Sequence, residues 1–153
     1  MVNPVKLVKE IQMLEATGIN LKNRLKISCQ ASIIQPHHLI LDIIMGKVIG
    51  TTRNGIGPAY ADKATRMEGE RLVNIRLADL IDNPKMYGNL IRKNLLFVCK
   101  AHKIKVKNPD AQIAEIMDAL SRVKNYVEMD PLYLQKKVEK GARVLFEGAQ
   151  SAM

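Results

Sequence analysis

Five of the six proline steps in this chain punctuate its helical pattern: Asn3-Pro4, Gly57-Pro58, Asn83-Pro84, Asn108-Pro109 and Asp130-Pro131. Proline fixes φ and lacks an N–H, so it suits the first turn of a helix and breaks a helix interior. Asparagine or aspartate before it is a good N-cap. The steps therefore predict a row of separate helices. Between Asn3 and Gly18 the apolar residues Val5, Val8, Ile11 and Leu14, flanked by Leu7, trace one face of a helix over Pro4 to Ala16, with Gly18 as its stop. Asn83-Pro84 opens a helix over Met86 to His102, with Leu90, Leu95 and Val98 on its inner face. Asn108-Pro109 opens another over Asp110 to Met129, along Ile113, Ile116, Met117, Leu120, Val123 and Val127. A further helix follows Asp130-Pro131 through Leu134, Lys137 and Val138 and stops at Gly141.

Strand signals are fewer and shorter. Leu25 to Cys29 alternates apolar and polar residues, and Arg143 to Phe146 is β-prone, as expected for a strand of a buried sheet. Arg71 to Ile81 reads as a helix, or as a strand followed by a helix. The fold class expected is α/β, mostly helical with a few short strands. The length of 153 residues fits one domain with a real core.

The richest stretch is Gly46 to Arg66. It holds Gly50, Gly55 and Gly57, the adjacent Thr51 and Thr52, Pro58, and a basic end from which Ala59 to Arg66 leaves as a short helix. Glycines let backbone approach a ligand. Hydroxyls, N–H groups and a guanidinium suit phosphate oxygens. Composition alone favours an ordinary turn over an anion site. The Walker pattern is missing, and the dinucleotide fingerprint fails because Tyr60 stands in place of its third glycine.

The charge of the chain, 24 basic against 15 acidic residues for a net +9, favours anionic partners without choosing among them. The basic run Lys100, His102, Lys103, Lys105 and Lys107 suggests a nucleic-acid module as the alternative function. Only Phe97 is near it for base stacking, and aromatic residues make up 4% of the chain, which argues against that class. His37, His38 and Asp42 invite a metal reading. Neighbouring side chains diverge on a helix or a strand, so a structural role is expected and no metal. Cys29 and Cys99 are read as reduced thiols. No apolar run is long enough to span a bilayer and no leader pattern is visible, which makes cytoplasm the default location.

Gly50 to Arg66 (GTT, then Arg53-Asn54, then GIGPAYADKATR) resembles a signature of the adenylosuccinate synthetase family. Asn3 onward (NP-x-x-L-x-KEI), Leu21 to Ser28 (L-x-x-RLKIS), His38 to Asp42 (HLILD) and Val144 to Gln150 (VLFEGAQ) are similar to the same family in the same order. The resemblance implies a partial piece of that P-loop-like fold and an enzyme joining IMP to L-aspartate at the expense of GTP with Mg2+. It implies that Thr52 contacts the IMP 5′-phosphate, that Gln150 hydrogen-bonds IMP, and that Arg66 reaches the IMP of the partner in a homodimer. Gly50, Thr51, Gly55 and Gly57 would shape the loop. Arg53-Asn54 departs from the family's pattern of glycine or lysine followed by a basic residue. Asp42 is expected to run almost directly into the loop, as if a helical segment were deleted. The family's GTP and Mg2+ loop, with its catalytic aspartate and histidine, has no counterpart here, nor does the portion binding aspartate and guanine. Residues 1–153 are thus expected to form a single incomplete domain holding part of an IMP site, inactive alone.

Overall fold

The computed structural model describes residues 1–148. The Asn-Pro steps act as caps. Asn3 Oδ1 accepts from the Lys6 N–H at 3.1 Å and opens α1, Pro4–Ala16, which ends before Gly18 at φ 84°. Asn83 Oδ1 accepts from Met86 N–H at 3.0 Å at the head of α5, Pro84–Ala101. Asn108 Oδ1 accepts from Ala111 N–H at 3.2 Å at the head of α6, Pro109–Val123. The other helices are α2, Pro36–Ile49; α3, Ile56–Thr65; α4, Leu77–Asp82; and α7, Tyr133–Glu139. Strands β1, Ile27–Ser28, and β4, Val127–Glu128, pair in parallel with Ile27 opposite Val127. Strands β2, Met67–Glu68, and β3, Arg71–Leu72, form an antiparallel hairpin around Gly69.

Apolar faces decide the packing. α1 lies on α6, α6 on α5, and α5 on both α4 and α2. Ile27, Ile33, Ile75, Leu77, Leu80, Ile91, Ile116 and Leu120 fill the space between them. Fully burying each such side chain contributes roughly 1.5–3 kcal/mol. An extended segment runs through the middle. Ile33 N–H donates to Ile75 O at 2.9 Å, Val2 N–H to Ser32 O at 2.9 Å, and Ile34 N–H to Val2 O at 2.7 Å. These bonds set the start of α1 beside the start of α2.

The structure corrects four expectations and decides between the two readings left open for Arg71 to Ile81. A sixth proline step, Gln35-Pro36, opens α2, which continues past Asp42 to Ile49 instead of entering the loop. Its interior Gly46 is weak for a helix, but a Cβ there would lie 2.6 Å from Thr51 Oγ1. α3 begins at Ile56 rather than Ala59, with Gly55 in the left-handed conformation as its N-cap. Arg71 to Ile81 resolves into β3 followed by α4. α6 stops at Val123, and a 3-10 turn over Lys124–Tyr126 feeds β4. Pairing of Val127 with Ile27 overrides the helical period there. Arg143 to Phe146 is not a strand: Leu145 and Phe146 are exposed, and among the described residues no neighbour pairs with them. A strand needs such a neighbour to satisfy its backbone.

Candidate functional site: the loop between α2 and α3

The two adjacent threonines have opposite fates. Thr51 turns inward: its hydroxyl donates to Asp42 O at 3.2 Å and accepts from Arg53 N–H at 3.3 Å. It lies over Gly46, which explains that glycine. Thr52 is exposed, and its hydroxyl oxygen accepts from Asn54 Nδ2 at 3.2 Å. Gly55 is required twice over. Its φ of 74° is left-handed, and an added Cβ would come within 3.2 Å of the His38 backbone carbon. Its N–H donates to Asp42 Oδ2 at 2.7 Å. Gly50 has φ 65° at the end of α2. Gly57 has no such constraint, and a Cβ there would meet nothing within 4 Å. At the head of α3 the N–H groups of Ile56 and Gly57 meet no acceptor among the described residues, and the first turn carries no acidic side chain. These donors, the Thr52 hydroxyl and the exposed Arg53 make a surface suited to an anion.

α2 is the template that holds this loop. Asp42 fixes its middle, and His37 and His38 fix the helix beyond. Both imidazoles place Nε2 at 3.0 Å from Asp62 Oδ2. The expected divergence of neighbouring side chains is therefore wrong here: an acceptor placed between two imidazoles lets both rings reach it, with centroids 4.1 Å apart. Both histidines are buried.

The tautomer follows from the partners. His38 Nδ1 accepts from Gln35 N–H at 3.0 Å. The Nδ1 lone pair is used, so the proton sits on Nε2 and is donated to Asp62. A cation bound at that Nε2 would force a proton onto Nδ1, against the Gln35 N–H. The three side chains could gather ligand atoms within 4.8 Å of one another, but the hydrogen bonds make them a clamp between α2 and α3. Burial pushes the His37 pKa down to about 4, opposed by its bond to Asp62. Its Nδ1 is buried without a partner among the described residues, so a proton there would have no acceptor among them. Burial would raise Asp62, but the bonds from His37 and His38 outweigh it and hold the carboxyl below the ordinary range.

The polar network continues on the other side of α2. Gln35 Nε2 donates to Val73 O at 2.6 Å, and Asn94 Nδ2 donates to Gln35 Oε1 at 3.0 Å. Arg71 Nη1 donates to Asn94 Oδ1 at 3.2 Å, and its guanidinium lies 4.0 Å from the Phe97 ring centroid. That covers a face of the aromatic residue a nucleic-acid reading would need for stacking.

Arg66 sits at the far end of α3. Its N–H donates to Asp62 O at 2.8 Å, and its carbonyl accepts from Val73 N–H at 3.0 Å. Its φ of 63° is unfavourable for a residue with a Cβ, a feature common at functional positions. The side chain is exposed. A ten-residue helix is about 15 Å long, so Thr52 and Arg66 lie at opposite ends of α3 and are not brought together within the chain. Gln150 lies outside the described residues. Sequence reasoning missed Gly46, Asp62 and the role of Asp42. The i, i+4 spacing of His38 and Asp42 on one helix face was the available signal for Asp42; nothing in the sequence pointed to Asp62. Among the described residues no helix is long and apolar enough to cross a membrane.

Comparison with known proteins meets the same fold. A relative named adenylosuccinate synthetase 2, from Cupriavidus pinatubonensis, is 40% identical over 96% of this chain and 31% of its own length. The adenylosuccinate synthetase of Streptococcus gordonii is 39% identical over 99% of this chain and 36% of its own. That match runs over 161 positions against 153 residues here, so the relative carries extra residues within it. The solved structure of fully ligated adenylosuccinate synthetase from Plasmodium falciparum superposes with a TM-score of 0.81, 24% identity, and coverage of 99% of this chain and 35% of that one. The chain thus spans about a third of the length of these relatives. With a family model for adenylosuccinate synthetase matching residues 1–153 from end to end, the chain belongs to the adenylosuccinate synthetase family.

Proposed function

We propose that this chain supplies part of the IMP site of an adenylosuccinate synthetase, the GTP-dependent ligase that joins IMP and L-aspartate in AMP synthesis. The observation that carries this reading is the split between the threonines: Thr51 is spent inside the loop, and Thr52 faces solvent beside unclaimed N–H groups. Thr52 would hold the 5′-phosphate, with Gly50, Thr51, Gly55 and Gly57 shaping the loop. Arg66, a helix length away, would reach the phosphate of a partner's IMP in a homodimer, and Gln150 would complete the substrate contacts. Residues 1–153 would act in the cytoplasm as a single domain carrying part of that site.

GTP and Mg2+ belong to the full-length reaction. Mg2+ takes oxygen ligands in octahedral array. The His37, His38 and Asp62 cluster offers two imidazoles whose Nε2 atoms both face one carboxylate oxygen, and does not fit it.

Calorimetric titration with IMP and with inosine tests the seat. IMP is expected to bind more tightly, and Thr52→Val or Arg66→Ala to weaken it roughly tenfold each, as for loss of a hydrogen bond to a charged group. Mixing the two variants is expected to restore part of the affinity, because a mixed dimer holds one site with both groups intact. Equal affinity for IMP and inosine would sink the seat; mixing without recovery would sink the shared site.

A further inference from the structure

The contacts of Thr52 have a direction, and it starts on another element. Lys6 lies in the first turn of α1, which the Asn3 cap and the Val2 to Ser32 bond fix beside the start of α2. Its Nζ meets Asn54 Oδ1. A lysine ammonium can only donate. The amide oxygen of Asn54 is therefore turned to Lys6, and its NH2 group to Thr52 Oγ1, 3.2 Å away. That bond uses Thr52 oxygen as acceptor, so the hydroxyl proton points elsewhere. Thr52 is exposed, and the direction left is outward. A phosphate oxygen only accepts, and such a proton is what it requires. A cleft of about 360 Å3, lined by Lys6, Asn54, Asn3, Leu7, Glu10 and Ile56 among others, opens beside the relay.

We propose that Lys6 and Asn54 are positioning residues that set Thr52 as a hydrogen-bond donor toward a nucleoside 5′-phosphate. Lys6 also places a positive charge at the edge of the seat. This rests on the IMP reading above and adds two residues to it. With asparagine at position 54, the loop carries no charge there. The cation comes instead from α1, 48 residues earlier in the chain.

The test uses the full chain with Lys6→Met, Lys6→Arg and Asn54→Asp, titrated with IMP and with inosine. Asn54→Asp replaces the donor facing Thr52 with an acceptor, so the hydroxyl proton is drawn inward. IMP affinity is expected to fall roughly tenfold or more in Asn54→Asp and roughly tenfold in Lys6→Met. Lys6→Arg, which keeps a donor-only cation, is expected to return to within about threefold of the parent. Inosine affinity and the thermal midpoint should stay level in all three, which separates the relay from a merely structural role. An IMP to inosine preference that survives Lys6→Met and Asn54→Asp overturns the relay and leaves the seat standing. Failure of Lys6→Arg to recover what Lys6→Met loses also overturns it. A parent chain with no preference for IMP removes the seat itself, and the relay with it.

Discussion

α6 and α3 are both surface helices held by one flank, yet they are held by different physics. α6 docks on α1 and α5 through aliphatic side chains such as Ile116, Leu120 and Ile91. α3 docks on α2 through directed bonds: two imidazoles on one carboxylate oxygen, and one backbone N–H on another. Aliphatic contact follows volume and tolerates sliding and swaps of similar size. The polar contact fixes an orientation and a protonation state, and is costly when half broken. The helix that brackets the candidate site is the one held by the orientation-specific means.

The contrast breaks most sharply under paired substitutions. Ile91→Ala is expected to cost about 3–4 kcal/mol, by loss of transfer energy and an unfilled cavity, while Ile91→Leu costs about 1 kcal/mol. Asp62→Ala leaves two buried N–H donors without an acceptor and is expected to cost about 3 kcal/mol. Here the size-matched Asp62→Leu gives no relief. Urea unfolding of the four variants measures this, and a cheap Asp62→Leu would show that α3 is held by packing after all.

Acid acts on the clamp between α2 and α3. The folded pKa of His37, about 4, lies below its ordinary value of 6.5, so the fold favours the neutral ring. Its contribution is complete above pH 6.5 and is lost as pH falls through about 4, with the unfolded chain taking up the proton first. Asp62, held below its ordinary value, acts in the same direction at lower pH still. Hydrogen exchange between pH 7 and 4 is expected to loosen α3 amides before those of α5 and α6. His37→Gln should flatten that dependence between pH 6.5 and 4. A uniform loss across all three helices would mean that the clamp does not set the acid response.

The smallest effect separates the two threonines. Thr51→Val is expected to cost about 1 kcal/mol, the worth of an ordinary hydrogen bond, and Thr52→Val less than about 0.5 kcal/mol because its group is exposed. Thermal unfolding checks the order, and a reversed order would place the structural hydroxyl at Thr52.

Much of the frame was legible. The Asn-Pro caps and the apolar periods mark α1, α5 and most of α6, because capping and amphipathicity are local properties that neighbouring residues carry. The glycine loop was legible as a string, with Gly55 left-handed where the sequence needed freedom. What escaped was anything set by a residue far along the chain. The end of α6 depends on Ile27, and the role of Asp42 depends on Gly55.

The sequence by itself determined where α1, α5 and α6 start, which of their faces are apolar, and which family the loop resembles, since each of these is written within a few turns of chain. Only the tertiary structure decided that Thr51 points in while Thr52 points out, that two neighbouring histidines share Asp62, and that Lys6 stands against Asn54. The reason is that hydrogen bonds have direction and short reach. Residue types say what a group is able to donate or accept, but the folded backbone alone says which partner lies within about 3 Å.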